Sequence, residues 1–249
     1  YSYGELEILP KVFAGTGARY QQADYIFDQI GGYAAPQFIK KSPDETVKKG
    51  LIRYEYADGS NFYAGIEETF RFLSTDEWYS TYTGLDPSLK HQTGIQYEAG
   101  WKHDFNGRVQ VSVVPYWAEN NNEIYLDPSV EPGYNKNYDA TLRRGIEAFA
   151  SVDLKEIWQI NKLKDLRLAA DYHIQKALFR GGDYAGNDVP MAPRHQAGIN
   201  LSSRLQNGFG VSVGGRLIGK RHVINDTLNV MPKEKAYFVT DVKLSLVRQ

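Results

Sequence analysis

Thr93-Gly94-Ile95-Gln96-Tyr97-Glu98-Ala99-Gly100-Trp101-Lys102 sets Thr93, Ile95, Tyr97, Ala99 and Trp101 on one face of a strand, and Gly94, Gln96, Glu98, Gly100 and Lys102 on the other. After His103-Asp104-Phe105-Asn106-Gly107, a return arm places Val109, Val111, Val113, Pro115 and Trp117 opposite Gln110, Ser112, Val114 and Tyr116. Each arm runs about ten residues, the length a tilted strand needs to cross a bilayer. Each apolar face carries aromatics suited to a membrane interface. Whether the chain repeats this unit decides the fold.

It does. Working outward, one strand lies near Lys11 to Gln22, a second at Lys49–Tyr56, and a third returns through Phe62, Ala64 and Ile66 after the tight turn Ala57-Asp58-Gly59-Ser60. Beyond the central hairpin, Ile146-Ala148-Ala150-Val152 opposes Gly145-Glu147-Phe149-Ser151, and Leu166 to Ile174 alternates with Arg167, Asp171, His173 and Gln175. Three further strands centre on Ile199, Val211 and Val242. Ten strands result. A helical turn is expected near Trp158.

The connections alternate between long and shorter: Asp24–Thr46, Ser74–His91, Glu119–Lys136, Arg180–Pro190 and Arg221–Lys235 are long, and those between them are short or medium. A soluble lipocalin-like barrel or sandwich has no reason to gather every long loop at one end. An outer-membrane barrel does, with short periplasmic turns and long extracellular loops. The expected class is therefore all-β, an antiparallel transmembrane β-barrel, with residues 1–249 a single barrel segment.

Composition agrees. The chain has 249 residues, net charge -1, no Cys and 18 Tyr, with mean hydropathy -0.50. No apolar run of about 18 residues exists for a transmembrane helix, but alternating strands average to a soluble-looking hydropathy. The near-zero charge argues against nucleic acid. Without Cys there is no disulfide frame or thiolate metal site. The chain starts at Tyr1 without a signal-like segment, so its natural N-terminus is expected upstream.

Several stretches then resemble the C-terminal part of a TonB-dependent outer-membrane receptor barrel. They are Asn61-Phe62-Tyr63-Ala64-Gly65 with Phe70-Arg71-Phe72, Leu89-Lys90 with Tyr97-Glu98-Ala99-Gly100, Asn135-Lys136-Asn137-Tyr138-Asp139 with Arg144-Gly145-Ile146-Glu147, and Met191-Ala192-Pro193-Arg194-His195. Departures are Leu73 where the family often has Pro, His91-Gln92 in place of Pro-Glu, and an end at Val247-Arg248-Gln249 rather than on an aromatic. The resemblance implies a fragment of a barrel of about 22 strands in the outer membrane of a Gram-negative bacterium. It further implies a plug not included in this chain, through which a TonB-type inner-membrane complex drives uptake of a scarce solute, most often a ferric siderophore or other metal chelate. Membrane lipid and lipopolysaccharide would be its surroundings. The alternative is a passive porin-like channel without a plug.

Candidate ligand contacts are the loop aromatics Trp78, Tyr79, Tyr82, Tyr125 and Tyr134, whose rings could stack on a planar ligand, together with Arg71, His173 and Arg180. Tyr is also common in loops and interface girdles. The mixed-sign polar faces, including Glu67, Glu98, Lys102, Glu147, Arg167, Asp171, Arg204, Arg216 and Lys243, are expected to line a lumen and pair with one another or with a plug. No enzyme is expected: the five His are scattered, and neither HExxH, GxSxG nor a Walker loop occurs. No cofactor and no metal site are expected, and the acidic tract from Glu119 to Asp127, which lacks EF-hand spacing, reads as a solvated loop.

Overall fold

The computed structural model describes residues 2–31, 35–80, 84–127 and 134–247. One antiparallel sheet contains β1 (Ser2–Leu9), β2 (Val12–Gln22), β3 (Asp44–Ala57), β4 (Ser60–Arg71), β5 (Gln92–Phe105), β6 (Val109–Asn121), β7 (Ala140–Asp153), β8 (Leu163–Phe179), β9 (His195–Leu205), β10 (Phe209–Ile218) and β11 (Tyr237–Leu246), each bonded to its sequence neighbour. The strand count is thus eleven, not ten: Ser2–Leu9 pairs with β2, although its apolar positions, Leu6 and Ile8, are too few to stand out. β1 and β11 are the sheet's two edges and do not pair with each other.

The register lines the faces up from strand to strand. Phe62 lies opposite Trp101, Trp101 opposite Val113, Ile146 opposite Ile174, Leu168 opposite Leu201 and Val213 opposite Val242. These side chains make a continuous apolar surface that is largely exposed, with Ile52 51%, Phe62 52% and Val242 66% accessible. A soluble β-barrel would bury this face; a membrane barrel turns it to lipid. A 14-residue strand such as β5 extends about 46 Å. Tilted by about 45° it covers about 33 Å, enough for an apolar band of ~25 Å.

The inward face is polar and partly self-paired. Arg53 bridges Glu5 and Glu55, and Lys102 lies 5.3 Å over the Tyr63 ring. Two tyrosines approach glycines on the neighbouring strand: a Cβ on Gly100 would overlap the Tyr63 ring, and one on Gly145 would overlap the Ile174 carbonyl oxygen and meet Tyr116 at 2.9 Å. Glycine there leaves the space into which the ring folds.

Turn chemistry sets the short end. Gly59, Asn106, Gly107 and Gly208 have positive φ, as tight hairpins demand. β5 runs through to Phe105, so its turn is tighter than the five residues expected. The medium connection holds the expected helical turn, Leu154–Trp158, capped by the Asp153 carboxylate accepting from the Glu156 amide. The long connections carry small hairpins that local alternation did not reveal: Tyr25–Gln29 with Gln37–Lys41, Tyr79–Ser80 with Gly84–Leu85, and Ile124–Asp127 with Tyr134–Asn137.

If the Tyr63 ring depends on Gly100, Gly100→Ala should cost about 1–3 kcal/mol by overpacking and be partly relieved when Tyr63→Ala is added. Urea unfolding of the intact protein in detergent checks this; strictly additive single and double variants would refute the interlock.

Candidate ligand site at the long-loop end

The long connections pack on one another. Leu73, Trp78, Leu85 and Leu89 are buried, with Tyr25, Phe27, Ile39 and Ile124 against them, so three of the long connections contribute side chains to one core. Trp78 lies 6.0 Å from Tyr25 and 6.1 Å from Phe27. The Tyr25 hydroxyl donates to the Leu73 carbonyl at 2.7 Å; burial, then the Glu77 carboxylate, raise its pKa. A second core joins Ala177, Phe179 and Val189 to Tyr138, Tyr184 and Ala192. Residues 122–139 contribute to both cores. Asn187 donates to the Thr227 carbonyl, and Asn229 bonds the Asp188 backbone in both directions, tying in residues 219–236.

Between the two cores opens a cleft of about 340 Å³ lined by Arg71, Glu123, Tyr125, Tyr138, Arg143 and Met191 among others. β4 delivers Arg71 from its last residue and β7 delivers Arg143 near its start. Arg71 Nη1 bonds Glu77 at 2.8 Å, and Arg143 Nη1 bonds Glu123 at 2.6 Å. Burial pushes the Glu77 carboxyl up, but donation from Arg71 and the Ser74 amide outweighs it and leaves its pKa lowered. Tyr125 stacks on Tyr138 with ring centres 3.8 Å apart and planes 1° apart. The cleft therefore offers two guanidinium groups and an aromatic platform.

Next to it, the buried Asp226 carboxylate ties residues 219–236 together. It accepts from the Val230 amide at 2.9 Å and the Met231 amide at 3.2 Å, and its Oδ2 lies 2.9 Å from His222 Nδ1. Burial raises the Asp226 pKa, but these bonds prevail and hold it below the ordinary carboxylate range. His222 Nε2 faces Asp188 at 3.7 Å, and Lys233 reaches the same carboxylate.

Of the residues expected to meet a ligand, Arg71 and Tyr125 converge on the cleft. Trp78 is buried in the first core, and Tyr79 borders a separate hollow with Ile26, Phe27 and Asp76. Arg180 pairs with Glu119 at 2.5 Å at the rim. His173 sits on the inward face of β8, bonded to the Tyr116 hydroxyl at 2.8 Å. Tyr134 opens a strand of the third small hairpin, and Tyr82 lies outside the described residues. Arg143, Glu123 and Tyr138, not among those candidates, line the same cleft, and continuing the Glu147–Gly145 alternation one step reaches Arg143. The acidic tract is no solvated loop throughout: Glu119, Asn120 and Asn121 complete β6, and Glu123 is paired to Arg143 and accepts from Thr141. Among the described residues, no group of three or more His, Asp or Glu could hold a metal ion.

Residues 1–247 match the family described as TonB dependent receptor-like, beta-barrel. No curated protein matches the chain. Among solved structures, the ferric-catecholate import receptor Fiu of E. coli K12 is similar over 99% of this chain and 37% of its own, at 17% identity and TM-score 0.64. The ferric yersiniabactin uptake receptor FyuA of Yersinia pestis is similar over 96% and 36%, at 16% identity and TM-score 0.64. The copper transporter OprC is similar over 96% and 37%, at 13% identity and TM-score 0.71. The chain thus spans a little over a third of these proteins, which are receptors and transporters, not enzymes.

Because the folded Asp226 pKa is depressed, its contribution is complete above the unfolded value of about 3.9 and lost as pH falls through the lower folded value. Exchange protection of the Val230 and Met231 amides should therefore hold from neutral pH to about pH 4 and fall only below it. Asp226→Asn should lower that protection about tenfold at neutral pH and abolish the acid step. A step between about pH 5 and 7 would place control elsewhere.

Proposed function

The chain belongs to the TonB-dependent receptor β-barrel family, and on that premise we propose that it is a barrel segment of an outer-membrane receptor that takes up a scarce metal chelate. In this reading residues 1–249 are one barrel segment of a Gram-negative outer membrane, with the long loops outside and the short turns in the periplasm. A plug elsewhere in the protein couples to a TonB-type inner-membrane complex, which supplies the energy for import.

The observation that carries the cargo class is the cleft where Arg71, Arg143 and the stacked Tyr125–Tyr138 pair meet. Siderophores present anionic oxygens and planar rings, which guanidinium forks and aromatic faces bind well. Each arginine is already balanced by a carboxylate through Nη1. A guanidinium has five N–H donors, so the ion pairs orient these groups without using them up. The same pairing limits net positive charge, which favours a large ligand held by many contacts over a small free anion. The chemistry of neighbouring receptors, ferric catecholate and ferric yersiniabactin, supports the same class.

In this reading Arg71, Tyr125, Arg143 and Tyr138 contact the chelate. Tyr79 is a secondary contact from its own hollow, and Trp78 holds the loops that shape the cleft. His173 lies along the inward wall below it.

Titrating the intact receptor with ferric enterobactin, ferric citrate and cupric ion, read by tryptophan fluorescence, tests the cargo class. One ferric chelate should bind, and Arg71→Gln with Arg143→Gln should weaken it at least tenfold, about 1.4 kcal/mol. Uptake should also stop in a strain whose TonB is inactivated. Uptake that persists without TonB would instead support a passive channel, and unaltered binding in the double variant would remove the cleft from the account.

A further inference from the structure

The outward face carries a charge arrangement that neither the ligand cleft nor the sheet explains. Trp117, Arg144 and Lys176 stand directly opposite one another across β6, β7 and β8. Cross-strand neighbours have Cβ atoms about 4.5–5.5 Å apart, and like charges at that spacing destabilise a sheet. Both cations are exposed. The Arg144 guanidinium lies 5.6 Å over the Trp117 ring. Among the described residues neither Arg144 nor Lys176 has a carboxylate partner. The outward carboxylate two residues along β6, Glu119, is taken by Arg180 at 2.5 Å and by the Trp117 indole N–H at 2.9 Å. By contrast, inward arginines at the same end, such as Arg143, are paired.

What lies next to the pair is apolar. Two residues further toward the short turns, Pro115, Ile146 and Ile174 face one another in the same ladder, followed by Ala148 and Tyr172. Two unneutralised cations thus sit directly over an apolar belt, at the rim nearest the long loops. A small soluble anion would use only the charges. An amphiphile with an anionic head would neutralise the opposed cations and lay its chains along Ile146 and Ile174. Arg offers a fork matched to phosphate and Lys a mobile point charge on an apolar stem.

We infer that Arg144 and Lys176, with Trp117 as the aromatic wall, form a binding site for the phosphate-bearing headgroup of a lipid in the leaflet on the long-loop side. The inference rests on the reading that these strands span the outer membrane. It assigns the lipid contact to one ladder of the wall, separate from the ligand cleft.

The intact receptor, purified in detergent, can be incubated with diphosphoryl lipid A and examined by native mass spectrometry. Wild type should retain the lipid. Arg144→Gln with Lys176→Gln should cut retention at least tenfold, while the charge-preserving Arg144→Lys with Lys176→Arg should keep most of it. Heat-modifiable mobility on gels reports that each variant is folded. Equal retention by the glutamine variant, or equal binding of a phosphate-free glycolipid, would overturn the site. Displacement of the lipid by millimolar inorganic phosphate would identify a free-anion site and overturn the lipid assignment. Failure of the wild type to insert into lipid vesicles would overturn the membrane reading as well, whereas insertion with unchanged retention would overturn this inference alone.

Discussion

Backbone hydrogen bonding is the constraint on which the rest of this molecule depends. In hydrocarbon an unpaired N–H or C=O costs several kcal/mol, so a strand can cross only if its neighbours satisfy it along its length. The nine inner strands, β2 to β10, meet that demand by the simplest topology, each pairing on both sides with its neighbours in sequence, while β1 and β11 are paired on one side only. Once the ladder is fixed, side-chain direction follows with period two, and a slip of one residue would turn every apolar face inward. The continuous outward surface through Phe62, Trp101 and Val113 is a result of that register. So is the inward placement of Tyr63 over Gly100, where the sheet has no room for a second side chain.

The loops obey a different rule. Away from lipid they can be solvated, yet here they bury aromatic and aliphatic side chains against one another and use side-chain amides to bond loop backbone, as Asn137 does to the Lys90 and Asn122 carbonyls. The loops close over a cleft that Arg71 and Arg143 both line, one as the last residue of β4 and the other near the start of β7. Packing between loops, more than the strands themselves, shapes the candidate site.

The same division explains what could be read from the sequence. Alternation over ten or more residues is a local signal, and Thr93 to Trp117 displays it plainly, so the antiparallel barrel wall and the alternation of long and short connections were legible. Ser2–Leu9 was not, because Leu6 and Ile8 are a short run that ends at Pro10. The site was legible in part. Arg71 and Tyr125 could be named as residue types suited to a chelate, but no local pattern says that Trp78 is consumed in packing against Tyr25 and Phe27. Nor does one say that Arg180 is held at the rim by Glu119 on another strand. Such facts depend on contacts between distant segments, and periodicity carries no information about them.

Residues 122–139 lend Ile124 to one loop core and Tyr138 to the other. A segment shared in this way makes the loops one cooperative unit instead of five independent flaps. In evolutionary terms the cap resists piecemeal change: a new side chain at Tyr138 must suit Phe179, Tyr184 and Tyr125 at once. Altering what the cap recognises therefore calls for linked substitutions across several loops, while residues at the exposed tips, such as Ile30 and Val230, remain free to drift singly.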